Sequence, residues 1–340
     1  MLSKLTSHAV KKFGSQETYL ESLQIGALGS LSINIPIIRI GQGSPILGLV
    51  CSVHGDEVAS LYIIRKFLSL LELFSDFHGT VLIIPSANPV AQSILSRTTP
   101  HDCKDLNRVG AGSTTGTITQ QMAAHLIQHL KQCDLVVSLH EFEMHTPTTA
   151  VFMNAGTYEL KRQVLKAINA FNPKMIWVID SERESDSQYL TTLNTAFAKS
   201  GVVEFPIETT KLAYINEAEI KDAALGIIRV AEHLGMLNKS IDKKPLQMAP
   251  AFIRQEIRSE ISGIWEPNSK CKLLSTTKRD MLMGSLSELS LLDTKDIYLE
   301  KGNVPIQLRH REFVSSGKAL YSIGIPADNI INKYLNDEIR

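Results

Sequence analysis

A histidine and a glutamate three residues apart give the first sign of chemistry in this chain. His54 and Glu57 belong to the segment Ser-Val-His-Gly-Asp-Glu, which follows an apolar run of strand length from Ile46 to Cys51. A long amphipathic segment of helical period comes next. On a strand-to-helix turn the imidazole and the carboxylate can face one point, as two zinc ligands must. The pair alone is half a metal site, because His-x-x-Glu also arises by chance.

A third candidate ligand, His140, ends another apolar run. The segment Asp-Leu-Val-Val-Ser-Leu-His at 134–140 has the pattern of a buried strand. Open α/β sheets bind their ligands at the carboxyl ends of the strands, where neighbouring loops converge. Two histidines and one carboxylate are the donor set typical of hydrolytic zinc, with the fourth position left for water. The sequence therefore predicts one Zn²⁺ per chain, bound by His54, Glu57 and His140.

The segment from His140 to His145 resembles the zincin motif, but its spacing excludes that motif. Zincins need two histidines four residues apart on one helix face. Histidines five residues apart point about 140° away from each other on a helix, and to opposite sides of a strand. We therefore expect His145 to be a loop residue near the site, and Glu141 and Glu143 to be solvated or to support the ligands.

Strand-like and helix-like segments alternate through the first part of the chain. Helical spacing includes Gln188–Lys199, and the next strand-like run is Val202–Ile207. This alternation predicts an α/β domain over residues 1–240, with a mixed, largely parallel sheet flanked by helices. Beyond it, short alternating runs separated by glycines predict a small β domain over residues 245–340, with a short helix from Asp328.

A polar segment from Ser96 to Thr117 is longer than ordinary connections, and such loops are usually functional or disordered. It contains Arg97, Asn107 and Arg108. A guanidinium grips a carboxylate through two charge-assisted hydrogen bonds, so arginines beside a metal site suit an anionic substrate. The alternative is a surface loop held by salt bridges.

Composition limits the partners. The 35 basic and 35 acidic residues cancel, so no basic field attracts nucleic acid or an anionic membrane. Four widely spaced cysteines argue against a disulfide scaffold, and a reducing cytoplasm fits them best. We see no signal peptide and no apolar run of the roughly 18 residues that a membrane span requires. The sequence leaves open whether the chain forms a homo-oligomer.

Several motifs follow one another along the chain: His54-Gly-Asp-Glu57, Asn88-Pro89, Arg97, Asp105-Leu-Asn-Arg108 and His140. Together they closely resemble the succinylglutamate desuccinylase/aspartoacylase family, a branch of the zinc carboxypeptidase superfamily. Phe205-Pro-Ile-Glu208-Thr stands where the family has a strand that ends in its catalytic glutamate. The resemblance covers roughly residues 47–237, and the following β segment resembles the family's small barrel-like domain.

The resemblance implies a role for each matching residue. His54, Glu57 and His140 would be zinc ligands, and Glu208 the general base. Arg97 would polarise the scissile carbonyl, while Asn107 and Arg108 would hold the α-carboxylate of the substrate.

Glu204 is the rival to Glu208, because residues four apart on a strand share a face. The position of Glu208 at the expected carboxyl end of the strand, together with the family spacing, favours Glu208.

Two departures from the family pattern bear on specificity. After Arg108 the chain continues Val-Gly-Ala-Gly, where the family often has Phe-Pro-Gly. Between Ile179 and Glu208 the only arginine is Arg183, so the arginine that an aspartoacylase uses for the aspartate side chain has no counterpart unless Arg183 or Lys199 replaces it. The sequence therefore does not support N-acetylaspartate hydrolysis.

The sequence favours a cytoplasmic zinc amidohydrolase that removes an acyl group from an N-acyl amino acid or a similar small carboxylate-bearing amide. One alternative is a carboxypeptidase acting on a short peptide, although a small β domain would restrict access to the cleft. A second alternative is a zinc-dependent ligand-binding protein without catalysis. The presence of both Glu208 and Arg97 argues against it, because a binder needs neither a proton shuttle nor an oxyanion partner.

Overall fold

The computed structural model describes residues 5–13, 16–74, 77–180, 183–238 and 247–335. The helices of this part are α1 (Ala59–Leu71), α2 (Pro89–Gln92), α3 (Ile118–Leu130), α4 (Tyr158–Phe171), α5 (Leu193–Lys199), α6 (Glu217–His233) and α7 (Asp328–Leu335). Two 3₁₀ turns cover Leu106–Arg108 and Glu184–Tyr189. The strands are β1 (Leu5–Phe13), β2 (Gln16–Leu28), β3 (Leu31–Gln42), β4 (Ile46–Val50), β5 (Gly79–Ile84), β6 (Leu135–Phe142), β7 (Met144–His145), β8 (Thr149–Asn154), β9 (Met175–Asp180), β10 (Glu204–Thr210), β11 (Ala251–Arg258), β12 (Gly263–Pro267), β13 (Met281–Glu288), β14 (Thr294–Leu299), β15 (Val304–Arg309), β16 (Glu312–Val314) and β17 (Ala319–Pro326).

One large twisted sheet organises the described part of the chain, in the order β1-β2-β3-β5-β4-β6-β10-β8-β9-β11-β17-β15-β7. Parallel pairs join β5, β4, β6 and β10 at its centre, and further parallel pairs join β8, β9 and β11. Antiparallel strands extend it at both ends. The predicted fold class, a mixed and largely parallel sheet flanked by helices, is confirmed.

Helices cover the sheet because strand residues alternate between its two faces. On one face, buried side chains of β6, β8, β9 and β10 pack under α1, α4 and α6. On the other face, α3 and α5 pack against β2, β3 and neighbouring strands. Both layers are built from Ile, Leu, Val and Phe, whose burial is the main stabilising term of the fold.

The C-terminal segment forms a separate small sheet, as predicted. Strands β14, β13, β12 and β16 pair antiparallel in that order around the fully buried Trp265. The strands β11, β15 and β17 belong to the large sheet instead, and β11 pairs in parallel with β9. We retain the division into residues 1–240 and 245–340 as a proposal. The residues 239–246 lie outside those described.

Two local predictions need correction, and two strands were not predicted. The helix expected over Gln188–Lys199 begins only at Leu193, because the Thr192 side chain caps the Thr195 N–H and the chain before it forms a 3₁₀ turn. The strand expected at Val202–Ile207 runs from Glu204 to Thr210. Strands β1 and β2 were not predicted, because their polar and apolar residues do not follow a clear strand pattern. They form through antiparallel backbone pairing with each other and with β3.

Among the described helices, none combines the length and apolar character needed to cross a membrane.

The hydrophobic core beneath β10 should contribute strongly to the stability of the large sheet. Phe205 is fully buried and packs edge-on against Phe171 at a centroid distance of 6.1 Å. We expect Phe205→Ala to lower the free energy of unfolding by about 3–5 kcal/mol, because it leaves a cavity in a close-packed core. Chemical denaturation measures this change. Leu292→Ala is the control, because Leu292 is 87% exposed and its truncation should change the free energy of unfolding by less than about 0.5 kcal/mol. An equal loss of stability in the two variants would contradict the assigned core.

Candidate metal centre and active site

The turn after β4 brings two candidate ligands to the edge of the sheet. Ser52 adopts a left-handed conformation, with φ of 52°, and redirects the chain out of the strand. The Glu57 N–H donates to the His54 carbonyl at 3.2 Å and closes the turn. Gly55 packs directly on α2: a Cβ at this position would lie 2.2 Å from the carbonyl carbon of Ala91. Only glycine allows the turn to lie this close to the helix.

His54, Glu57 and His140 form a compact buried cluster. One ligand atom from each lies within 4.8 Å of the others. The Glu57 carboxylate bridges the two rings, with Oε1 2.6 Å from His54 Nδ1 and Oε2 2.9 Å from His140 Nδ1. The structure thus brings together the three residues predicted to bind zinc, at the carboxyl ends of β4 and β6.

The donor set and its geometry fit a zinc ion. Two imidazole nitrogens and one carboxylate are the ligands of many hydrolytic zinc sites, and all three side chains are less than 10% exposed. Within the described residues, this is the cluster whose ligand atoms converge closely enough to hold a metal.

Electrostatic coupling within the cluster offsets the cost of burying its charged groups. Burial disfavours a charged His54, but the Glu57 and Asp105 carboxylates outweigh it and raise the pKa of His54 to about 9. Burial would raise the pKa of Glu57, yet the two imidazoles hold it well below its usual range. Each charge is therefore stabilised by an opposite one, as buried charges require.

Asp105 fixes the orientation of His54. Its Oδ1 lies 3.0 Å from His54 Nε2, so the outer nitrogen is occupied and Nδ1 faces Glu57. Carboxylates commonly hold metal-binding histidines in this way, which sets the tautomer. Burial opposes ionisation of Asp105, but its contact with His54 dominates and lowers its pKa below the usual range. Its role was not predicted, although Asp105 lies in the long loop beside Asn107.

Arg97 is placed over the same cluster. Its Nε donates to Asp105 Oδ2 at 3.1 Å, and its Nη1 lies 3.7 Å from Glu57 Oε1. The side chain is about half exposed, at 49%, so one side of the guanidinium faces the open cavity. The long loop is thus fastened to the ligand cluster by ion pairs and is more than a surface connection.

Glu141 supports the site from behind. It is buried and accepts hydrogen bonds from the backbone N–H groups of Ala59, at the start of α1, and Leu212. Burial raises its pKa to about 7 despite these bonds. Glu141 was expected either to be solvated or to support the ligands. Its burial excludes the first alternative, and its hydrogen bonds to the backbone agree with the second.

Glu208 and Glu204 occupy different environments on one strand face. Glu208 is the register partner of His140 on the neighbouring strand β6, and it lines the cavity. Burial raises the pKa of Glu208, and the charge of Glu57 adds to the effect. Glu204 accepts from Ser138 Oγ at 2.7 Å and is held away from the cavity.

The remaining predicted residues lie on the facing rim. Asn107 Oδ1 accepts a hydrogen bond from the Leu193 N–H at 2.9 Å. This bond fixes the orientation of the side-chain amide and does not use its NH₂ donors. Arg108 donates through Nη1 to the Asn107 carbonyl at 2.7 Å and lies 5.7 Å from the centroid of the Tyr189 ring. All seven predicted site residues line one cavity of about 350 Å³.

The C-terminal strands complete this cavity. Arg254 and Glu256 of β11, Arg309 of β15 and Ala319 of β17 close one side. Neither Arg183 nor Lys199, the two substitutes considered from the sequence, is among the described residues that line it. No local sequence pattern indicates a role for Arg254, because it lies in an alternating strand about 200 residues after His54.

The fold and the cavity define a hydrolase-type α/β domain with a C-terminal β extension. A profile of the succinylglutamate desuccinylase/aspartoacylase catalytic domain matches residues 44–234. That match spans more than half of the chain, and the protein therefore belongs to the succinylglutamate desuccinylase/aspartoacylase family, whose members are deacylating hydrolases.

One curated relative is the N-alpha-acetyl-L-2,4-diaminobutyric acid deacetylase of Halomonas elongata, with 32% identity over 115 residues. The alignment covers 34% of this chain and 33% of the relative, so it spans about a third of each.

Solved structures show the same fold over nearly the whole chain. A succinylglutamate desuccinylase from Silicibacter sp. TM1040 superposes with a TM-score of 0.77 at 20% identity, covering 96% of this chain and 98% of the other. The product-bound ectoine utilization protein EutE (DoeB) from Ruegeria pomeroyi gives a TM-score of 0.76 at 20% identity, covering 95% and 98%. At this identity the likeness establishes the fold.

Removal of one ligand tests the metal centre. We expect the purified protein to contain about one zinc per chain, and His140→Ala to lose nearly all of it, because two remaining ligands cannot complete the site. Elemental analysis after dialysis measures the content. His145→Ala is the matched control: His145 is exposed and lies outside the cluster, so this variant should keep its zinc. Full zinc occupancy in His140→Ala would refute the ligand assignment.

Proposed function

We propose that the protein is a zinc-dependent amidohydrolase that releases the amino acid from an N-acyl amino acid or a similar small carboxylate-bearing amide. The observation that carries this proposal is the convergence of a buried His-Glu-His cluster, the half-buried Glu208, Arg97 and Arg108 on one cavity. Membership of a family of deacylases supports the reaction class.

His54, Glu57 and His140 would hold the zinc ion. When bound, zinc supplies Lewis acidity, which activates water near neutral pH and polarises a carbonyl group. Asp105 would keep His54 Nδ1 directed at the metal position through its 3.0 Å contact with Nε2.

Glu208 would transfer protons. It faces the cavity beside His140, and no hydrogen-bond donor in the described part of the chain engages its carboxylate. A carboxylate with a raised pKa can take a proton from the attacking water and deliver it to the leaving amine nitrogen. Glu204 is unsuited to this role, because Ser138 and Asn194 occupy its carboxylate.

Arg97 would stabilise the oxyanion that forms as the carbonyl is attacked. Its guanidinium is held by Asp105 and lies beside Glu57, while its open side faces the cavity. A fixed cation at the developing charge is commonly the largest single contribution to catalysis.

Arg108, together with the Asn107 amide, would bind the α-carboxylate. Arg108 uses one N–H for the Asn107 carbonyl, which leaves the other donors of its planar fork for a ligand. The α-carboxylate would then lie on the rim formed by the long loop.

Closure of the cavity favours small substrates over peptides. Side chains of β11, β15 and β17 line one side of the cavity and would limit the length of a bound substrate. We therefore prefer the deacylase to the carboxypeptidase. The environment of Glu208 and Arg97 likewise favours catalysis over metal-dependent ligand binding.

Substitution of the proposed base separates it from its neighbour. We expect Glu208→Gln to keep zinc and fold but to lower kcat by about 10² or more, because it removes the proton acceptor while conserving shape. Release of free amine from N-acyl amino acids measures the rate. The matched control is Glu204→Gln, four residues away on the same strand, which should reduce kcat much less. If the two effects were reversed, Glu204 would be the base.

Amidation of the substrate tests the role of Arg108. Converting the α-carboxylate to an amide should lower kcat/KM of the wild type by roughly 10- to 100-fold, as expected for loss of a charge-assisted pair. In Arg108→Ala, acid and amide should be cleaved about equally. Arg162→Ala on the surface of α4 is the control and should retain the preference. A wild type that ignores amidation would show that Arg108 does not bind the carboxylate.

A further inference from the structure

One wall of the cavity is apolar. It is formed by Val151 and Met153 of β8 and by Trp177 and Ile179 of β9, each of which is less than 10% exposed. Val151 pairs with Trp177, and Met153 with Ile179, across the two parallel strands. We call these four residues the apolar floor. Their neighbours along each strand point to the opposite face and pack under the helices.

The apolar floor lies directly beside the proposed base. The strand order β10-β8-β9 puts Glu208 on the strand next to Val151, and β9 one strand further. Two strand spacings amount to about 10 Å. A substrate whose scissile bond lies at Glu208 therefore has room for a group several atoms long across the apolar floor.

The amino-acid half of the substrate is the half that meets the apolar floor. Arg108, the proposed partner of the α-carboxylate, lies over Tyr189 with 5.7 Å to the ring centroid. Tyr189 in turn packs edge-on against Trp177 at 5.4 Å. A carboxylate bound at Arg108 would thus bring the substrate Cα close to the apolar floor, within reach of its side chain.

The cation nearest the apolar floor is already engaged. Arg254 lies 4.3 Å from the ring centroid of Trp177 and 5.0 Å from that of Phe142. It forms an ion pair with Glu256 at 3.2 Å, and a further donor lies 3.4 Å from Gln307 Oε1. Cation–π contacts and an ion pair hold Arg254 against Trp177, at one edge of the apolar floor.

We propose that the substrate's amino acid carries a bulky apolar side chain, aliphatic or aromatic, that sits on the apolar floor beside Arg254; this specificity rests on the proposed function. Apart from the indole N–H of Trp177, the apolar floor offers no hydrogen-bonding group. An acidic side chain would lose its hydration there without a free partner, whereas an apolar one gains by leaving water.

A substrate series tests the preference. The zinc-loaded protein is assayed with the N-acetyl derivatives of glycine, leucine, methionine, phenylalanine and aspartate. We expect kcat/KM for at least one of the three apolar substrates to exceed those for glycine and aspartate by about tenfold or more, the scale of discrimination in apolar pockets. A preference for aspartate would overturn the proposal while leaving the deacylase function intact, and would assign Arg254 to the acidic side chain.

Two conservative variants link the preference to the apolar floor. Val151→Thr and Met153→Gln introduce polarity with little change of shape, and each should lower the ratio of leucine to glycine kcat/KM several-fold. Val178→Thr is the matched control, because Val178 is equally buried on β9 but faces the helices. An unchanged ratio in both floor variants, or an equal change in Val178→Thr, would contradict the assignment.

Product binding separates this inference from the proposed reaction. Calorimetric titration with leucine, phenylalanine, glycine and aspartate measures recognition without turnover. Tighter binding of leucine or phenylalanine, together with no hydrolysis of any substrate, would reject the deacylase function and retain the apolar specificity of the cavity. Equal binding of all four, with hydrolysis intact, would reject the specificity alone.

Discussion

The structure depends on keeping the Glu57 carboxylate ionised inside the protein. A buried charge without partners is strongly destabilising, and here two imidazoles supply them at 2.6 and 2.9 Å. Several elements serve this cluster: the left-handed Ser52 turns the chain, Gly55 admits the close packing of α2, and Asp105 orients His54. A divalent cation at this position would take over the charge compensation that the imidazoles provide.

The order of strands converts this local cluster into an active-site layout. From β4 through β6, β10, β8 and β9 to β11, neighbouring strands bring successively the three candidate ligands, the half-buried Glu208, an apolar surface and Arg254. In the proposed function, chemistry and specificity would thus occupy different stretches of one sheet face. Variation on β8, β9 or β11 would then alter the substrate without disturbing His54, Glu57 and His140, which lie on other elements.

The convergence of the three candidate ligands could be predicted from sequence because their signals are local. His54, Glu57 and His140 each stand beside an apolar strand-like run, and parallel strands in an open sheet bring such ends together. The long loop was recognisable by its length and by Arg97 and Arg108, although the hydrogen bonds of Asp105 were not. Glu208 was chosen as a strand-end residue, yet β10 continues to Thr210 through backbone pairing that no local pattern reveals. Arg254 was missed for a related reason: its place beside Trp177 follows from the pairing of β11 with β9, a contact between distant parts of the chain.

The measurement that tests the account most directly is the location of the metal by anomalous X-ray diffraction at the zinc absorption edge, on crystals of the zinc-loaded protein. The account predicts a single strong peak among His54 Nδ1, His140 Nδ1 and the Glu57 carboxylate, about 2.0–2.2 Å from each ligand atom. A zinc-loaded crystal with no peak there, or with its peak among other side chains, would contradict the central claim.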